Sequence, residues 1–524
     1  MRKSLKKIMS LALAAIMTIG LCTGCGGGED AGSDADLTVT YYEGGYGKEW
    51  IEYAAKKFEE EKNVTVKLIS SAKLDCDATT YIKSGSNLSD IYICASSSWT
   101  SWAAQGKLEP LTDLYDMEVA TSNGNVKIKD YIDQDVAGKY YMQQKAGQGE
   151  FIPWVMPWSA QPNALAYNED LLTKLVHTES GYAVEGLNVG DTWTTPPKTV
   201  TELFAYCADV NAYSDDSGYT YVPFGWSGKA PEMLYFMIYS WWAQAQGITE
   251  SNYEGEGSFF DFWNFGNTAE SGQQSFSLDG FKQTGIKVAI DTLIDLMVKD
   301  GSYANSLPDA GKLSAQELQM TFVSGDMKTK PAIVLASSYL EYETELSGYL
   351  DTDKDGKQDV NFKFMPVPKL DSYTGEQDVV YCTYEDVMLI PKEAAHKDVA
   401  KEFLAYLCNE EMLNYFSSTT GSIRPFNYDY ANASAEYSEF TKSVMDVYAN
   451  STHVFEYPVT VENMNQVSFV YRFERPTLFG IDPLTTVLNE LLTMDGQEIM
   501  DNVIKNLETQ TVGNWKSKYG LIVK

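Results

Sequence analysis

The sharpest chemical pattern in the chain is nine residues long, Asp351-Thr352-Asp353-Lys354-Asp355-Gly356-Lys357-Gln358-Asp359. Carboxylates at Asp351, Asp353, Asp355 and Asp359, a backbone carbonyl at Lys357 and a glycine after the third Asp follow the EF-hand calcium loop. In that loop the glycine permits a sharp turn and hard oxygens surround the ion. The pattern breaks at Phe362, where the EF-hand has a bidentate Glu, and Val360 to Met365 reads as a strand where the EF-hand has a helix. The expectation is a structural Ca²⁺ clip with a further ligand from elsewhere in the chain, or else a solvated acidic turn. The residues call for no other cofactor. His177, His396 and His453 are scattered, and no H-E-x-x-H, Gly-x-Ser-x-Gly or phosphate-loop motif occurs. Cys76, Cys94, Cys207, Cys382 and Cys408 contain no C-x-x-C spacing, so zinc and thioredoxin-like chemistry have no support. Cys94 and Cys408 lie in apolar runs and read as small core residues.

The elements that would position a site are legible by period. Leu37 to Tyr42 is β-branched and aromatic, a strand. Lys48 to Lys62 places Trp50, Ile51, Ala54, Ala55 and Phe58 on one helical face. Val64 to Ile69 and Asp90 to Ala95 read as further strands, and a helix starts at Trp99. Strand and helix alternating at this spacing imply βαβ units and a parallel sheet. Ligands of such sheets lie beyond the carboxyl ends of the strands. Here those ends are Glu43-Gly44-Gly45-Tyr46 and Ser96-Ser97-Ser98-Trp99, two loops that offer both polar and aromatic groups. Residues 250–280 are rich in Phe, Trp, Gly and Ser without a period, and read as a surface loop or a lip over a cleft. From Ser438 onward the pattern is mainly helical, with a long amphipathic helix expected over Pro483 to Met500.

The first residues read as a targeting segment. Arg2, Lys3, Lys6 and Lys7 precede an apolar run from Ile8 to Leu21, the form of a secretory signal. The run is shorter than the roughly 20 residues that span a bilayer. Leu21-Cys22-Thr23-Gly24-Cys25 looks like a bacterial lipobox, although Cys22 stands where Leu is usual. The expected division is a signal peptide over 1–24, then a lipidated Cys25 with a flexible tether over 25–36. A tether of that length reaches on the order of 18 Å. The whole chain of 524 residues carries a formal charge of −33, and loss of the four basic leader residues leaves about −37. Such a charge repels nucleic acid and anionic lipid, so attachment to a membrane would come through the lipid alone.

Several passages together resemble the extracellular solute-binding proteins of ABC importers, in the sugar-binding family that includes maltose-binding protein. They are SDIYICASSSWTSWAAQGKLEPLTDL, IPWVMPWS followed by NALAYNEDLL, TWTTPPKTVTEL, FVSGDMKTKPAIVLASSYL, VMLIPKEAAHKDVAKEFLAYLCNEEM and TTGSIRPFN. Val200 departs from the Trp usual in the third of these. The resemblance covers nearly the whole mature chain. It implies an α/β, two-lobe periplasmic-binding-protein-like fold of type II, each lobe a mainly parallel sheet flanked by helices and hinged by crossing segments. Residues 37–157 with 378–424 would form the N-terminal lobe, and 158–377 with 425–524 the C-terminal lobe. It further implies no catalysis, a carbohydrate ligand, membrane permease subunits of an ABC importer as partners, a monomer, and a lipid-anchored place on the extracellular face of a bacterial cell membrane.

A sugar has polar edges and apolar C–H faces, so its site needs aromatic plates and a few well-aimed polar groups. The plates expected are Tyr46, Trp99, Trp158, Trp226 and Tyr339, with Tyr235 and Phe479 as further aromatics; each could equally be core. Trp241 and Trp242 read as core. The polar partners expected are Glu43, Ser97, Gln161, Asn163, Ser337, Asp386 and Arg424, the last of which could instead brace the hinge through an ion pair. Alternatives stay open. The same fold could bind a polyamine, a peptide or iron. A surface glycoside hydrolase would need two carboxylates about 5–10 Å apart. An adhesin would be expected to show repeats, and none occur.

Overall fold

The computed structural model describes residues 35–133, 141–144, 151–248, 283–296, 312–430 and 436–455, apart from 87, 97, 215–217 and 385, together with isolated positions at 136, 259, 275–276, 498, 501 and 522–523. The leader, Cys25, nearly all of the tether and of 250–280, Ser97, Phe479 and the helix expected over Pro483 to Met500 lie outside the described residues.

Hydrophobic period sets the first layer. Strands β1 (Leu37–Tyr42), β2 (Val66–Ser71) and β3 (Ile91–Ala95) alternate with helices α1 (Glu49–Lys62) and α2 (Trp99–Ala104). Helix α1 buries Trp50, Ile51, Ala54, Ala55 and Phe58, and Asn63 ends it in the left-handed conformation with its N–H on the Glu59 carbonyl. Strand β1 runs parallel to both β2 and β3.

The chain then crosses to a second sheet. Strand β4 (Met156–Pro157) belongs to the first sheet and β5 (Gln161–Asn168) to the second, so the crossing falls at 158–160. Helix α3 (Val200–Ala212), capped by the Thr199 side chain on the Glu202 N–H, leads to β6 (Thr220–Gly225) and α4 (Tyr235–Ala245). Strand β7 (Thr329–Ser337), α5 (Leu340–Leu346), β8 (Phe362–Met365) and β9 (Asp378–Thr383) complete most of the second sheet. The chain returns with β10 (Asp386–Leu389), α6 (Lys397–Tyr406) and α7 (Glu410–Thr420), and crosses again to α8 (Glu439–Ala449) and β11 (Ser451–Val454). The first sheet has the order β2-β1-β3-β10-β4, and the second β6-β7-β5-β9-β11 with β8 beside β5.

Both sheets are mixed. The βαβ neighbours pair in parallel, while β10 runs antiparallel to β3 and β4, and β5 antiparallel to β7, β8 and β9. Strands that arrive through a crossing enter from the opposite end, which forces this direction. Strand β5 is buried along nearly its whole length; β9 pairs with it at Gln161–Asn163 and β8 at Leu165–Asn168.

Three details differ from the sequence reading. Residues 378–383, assigned to the first lobe, are β9 and pair with β5 and β11 in the second sheet. The return to the first lobe therefore begins after Thr383. At the third crossing the chain stays with the first lobe as far as residue 427: Phe426 bridges Ile132, and the Asn427 N–H donates to the Tyr131 carbonyl at 2.9 Å. The reading of Ser438 onward as mainly helical also misses β11, which extends the second sheet beside β9.

Arg424 braces this third crossing. Its side chain donates to the carbonyl oxygens of Leu407 and of Pro157, the latter at 2.8 Å, and lies 5.1 Å from the Phe426 ring. It is 2% exposed, and burial lowers its pKa. Its side-chain hydrogen-bond partners among the described residues are these carbonyls and the Cys408 sulfur, not a carboxylate. Replacing Arg424 by Met leaves both carbonyls buried without donors. The expected loss is about 2–4 kcal/mol of unfolding free energy, read by urea denaturation; a loss under about 0.5 kcal/mol would refute the brace.

Candidate functional site

Three crossings bring the strand ends of both sheets to one place. After β1 the chain makes a short 3-10 turn, Gly44–Tyr46, and the Tyr46 side chain turns inward to 3% exposure. Its hydroxyl donates to Asp386 Oδ2 at 2.8 Å. With its single proton spent there, the same oxygen accepts from Ser159 Oγ at 2.9 Å and from Gln161 Nε2 at 2.5 Å. Gln161 Nε2 also donates to Asp386 Oδ2. Tyr46 comes from the first lobe, Asp386 opens β10, and Gln161 opens β5 of the second sheet, so this cluster spans the lobes. Burial and the Asp386 charge hold the Tyr46 hydroxyl pKa well above its ordinary value, which keeps it a donor.

The polar chain continues into the second lobe. Thr383 Oγ1 donates to Gln161 Oε1 at 3.0 Å. Asn163 Nδ2 donates to Thr383 Oγ1 at 3.3 Å and to the Gln161 carbonyl at 2.8 Å. Ser337 Oγ, at the end of β7, donates to Asn163 Oδ1 at 2.6 Å. Ser159, Gln161 and Asn163 share a side because successive residues of an extended segment alternate.

Tyr339 follows two residues after Ser337 and stays half-buried. Its ring centre is 5.7 Å from that of Tyr46, and burial, aided by the Glu343 charge, pushes its hydroxyl pKa up to about 12. Glu43, half-buried, accepts from the Ser70 hydroxyl at the edge of the first lobe. The structure thus gathers Tyr46, Gln161, Asn163, Ser337, Tyr339 and Asp386, with Glu43 beside them.

It does not gather all the aromatics. Trp158 is fully buried, stacked on Trp50 at 5.5 Å and edge-on to Tyr46 at 4.5 Å, with its indole N–H on the Cys94 carbonyl. Trp99 is equally buried. Both serve the first-lobe core, because Trp50 and Phe416, remote in sequence, fill the space around Trp158. Trp226, at the end of β6, and Tyr235, at the start of α4, are buried as well. Trp241 and Trp242 are core, Trp241 with its N–H on the Pro368 carbonyl. Arg424 lies under the crossings, bonded to backbone. The sequence reading missed Ser159 and Thr383. The alternation through Ser159, Gln161 and Asn163 was a usable signal for the first; Thr383 depends on the β9–β5 pairing, which only the fold reveals.

The acidic loop reaches α5, where Gln358 Nε2 donates to Glu341 Oε1 at 2.7 Å. Asp351, Asp353 and Asp359 bring one carboxylate oxygen each to within 4.8 Å of one another. Asp355 turns its Oδ1 to the Lys357 N–H and is not among the three. Asp351 accepts from the N–H groups of Asp355 and Gly356, while Asp359 Oδ2 accepts from those of Gly325 and Thr352. Three converging carboxylates fit a hard cation of the Ca²⁺ type. If the loop holds Ca²⁺ with the about 0.1–1 mM affinity of extracellular modules, 10 mM CaCl₂ raises the melting temperature by about 1–3 °C. Asp353→Asn, which keeps the other loop contacts, abolishes that rise; an equal rise in the variant, or none in the parent protein, would overturn the clip.

Comparison with known proteins adds the following. A family model described as bacterial extracellular solute-binding protein matches residues 42–412. No curated protein matches the chain. Among solved structures, apo RafE from Streptococcus pneumoniae is similar at 15% identity, covering 90% of this chain and 98% of that one, with a TM-score of 0.56. A probable secreted solute-binding lipoprotein from Streptomyces coelicolor is similar at 14% identity, 91% and 100% coverage and a TM-score of 0.58. Maltose-bound MalE3 from T. maritima is similar at 16% identity, 90% and 99% coverage and a TM-score of 0.55. At such identities the likeness is one of fold, the two-lobe architecture. No helix among the described residues is long and apolar enough to cross a membrane.

Proposed function

The chain belongs to the bacterial extracellular solute-binding protein family, and from that premise we propose that it captures a carbohydrate between its lobes and delivers it to an ABC importer, without catalysing a reaction. The observation that carries this reading is the polar chain at the crossings, which joins Tyr46, Asp386 and Gln161 to Asn163 and Ser337 beside the half-buried Tyr339 ring. Neutral hydroxyl and amide groups alternate along it with one carboxylate, which suits a polyhydroxylated ligand. The Tyr339 face supplies the apolar plate such a ligand needs. Two structures of similar fold support the ligand class by their own contents: MalE3 holds maltose and RafE was solved with raffinose.

In this reading the ligand bridges the two lobes and shifts the population toward the closed form, because contacts to both are made only there. The closed form is what the importer's permease subunits would recognise. Cys25, lipidated after removal of 1–24, would hold the protein at the outer face of the cell membrane as a monomer. The ligand contacts proposed are Tyr339 and Gln161, with Glu43 at the rim, over a floor of Tyr46, Asp386 and Asn163. The acidic loop would be a structural clip.

A thermal-shift screen of residues 26–524 against raffinose, maltotriose, chitin oligosaccharides, spermidine and short peptides tests the ligand class. A sugar at about 100 times its Kd adds roughly 2.7 kcal/mol to the folded state. The expected outcome is a shift with at least one glycan and recovery of that glycan unchanged. A shift with spermidine or peptide alone would overturn the carbohydrate, and release of cleaved sugar would overturn the binding-protein reading.

A further inference from the structure

The turn after β1 faces the second lobe with almost no side chain. A Cβ added at Gly45 would lie 3.5 Å from the Tyr339 ring, and one added at Gly47 would meet the Tyr342 hydroxyl. Tyr339 and Tyr342 stand at the start of α5, in the second lobe, whereas Gly45 and Gly47 belong to the first. Gly47 has φ +63°, a conformation that favours glycine for its own sake. Gly45 has no positive φ, so backbone conformation does not require glycine there. At 3.5 Å a Cβ makes ordinary van der Waals contact with the Tyr339 ring, so the turn has room for Ala, and any larger side chain must enter the ring's space.

The contact has a consequence for the ring. One side of Tyr339 faces the Gly45 turn and the tilted Tyr46 ring at 5.7 Å. Tyr46 is itself fixed by its bonds to Asp386 and Ser159. The second lobe thus presents an aromatic ring whose backing is supplied by the first. Opening the lobes removes the backing and frees the ring's χ1 and χ2 angles, a loss of pre-organisation that a ligand must then make good.

We propose that Gly45 is a positioning residue for Tyr339: the bare turn of the first lobe backs the Tyr339 ring, so that closure and orientation of the ligand-facing plate are one event. The role of Tyr339 as plate rests on the carbohydrate reading above; the backing itself does not.

The test uses the full chain with spin labels at Lys56→Cys in the first lobe and Lys174→Cys in the second, both exposed. The described native cysteines are all buried. The distance is read without ligand. Gly45→Ala leaves the label separation at the parent value, and Gly45→Val and then Gly45→Leu widen it, reaching about 3 Å or more for Leu, because a side chain that extends beyond Cβ must push the ring or the lobe away. In Gly45→Leu/Tyr339→Ala the separation returns to the parent value, since the vacated ring space takes the Leu. The melting temperature of Gly45→Leu stays within a few degrees of the parent, which separates lost positioning from lost folding. An unchanged separation in Gly45→Leu, or no return on removing the ring, overturns the proposal whatever the ligand proves to be. In a second arm, calorimetry with raffinose and maltotriose should show Gly45→Leu weakening whichever sugar binds by about tenfold or more. Adding that substitution to Tyr339→Ala should cost nothing further. Binding weakened equally in both backgrounds counts against the proposal. If neither sugar binds the parent protein, the carbohydrate reading takes the damage and the distance arm decides this one.

Discussion

Asp386 is a carboxylate at 2% exposure, placed where three segments meet. A buried charge is costly unless its lone pairs are bonded, and here two donors come from remote parts of the chain. Tyr46 reaches it across 340 positions and Gln161 across 225. Satisfying this one group fixes the turn after β1, the start of β5 and the start of β10 relative to one another. Everything else in the site follows from that placement. Gln161 is then within reach of Thr383, Thr383 of Asn163, and Asn163 of Ser337, so a polar line runs from one sheet into the other. The Tyr46 ring, pinned by its hydroxyl, becomes the wall against which Tyr339 leans.

The aromatic residues divide by what stands behind them. Trp50, Trp158 and Phe416 interlock with Tyr46 as a first-lobe cluster, with ring centres between 4.5 and 6.1 Å apart. Among the expected plates that the structure describes, Tyr339 alone keeps an accessible part beside polar groups. A plate must be rigid yet reachable, and core burial provides the first at the expense of the second. Tyr339 obtains rigidity from the facing lobe instead, which ties its orientation to closure. Arg424 brings the same economy to the back of the crossings, where one buried guanidinium serves two backbone carbonyls.

Much of this was legible in the residues, and the failures are physical. Strand β1, helix α1 and strand β3 follow from side-chain period, which is local. The face shared by Ser159, Gln161 and Asn163 follows from alternation, which is also local. The placement of Asp378 to Thr383 in the second sheet was not legible, because the same β-forming residues pair equally well on either side and the choice is made by the distant β5 and β11. Trp99 and Trp158 could not be told from plates, since exposure is decided by partners such as Trp50 and Phe416. In the acidic loop the spacing located Asp351, Asp353 and Asp359 together, while Asp355 is drawn off by the Lys357 N–H, a bond that the pattern of carboxylates does not encode.

Tyr46 and Asp386 act as one unit at the base of the site, and a double-mutant cycle on their unfolding free energies measures it. Tyr46→Phe removes only the hydroxyl, and Asp386→Ala removes its acceptor. The expected coupling is about 1.5–3 kcal/mol, the range for a hydrogen bond to a charged group. The double variant should then be far less destabilised than the sum of the singles. Additive losses, agreeing within about 0.5 kcal/mol, would contradict it.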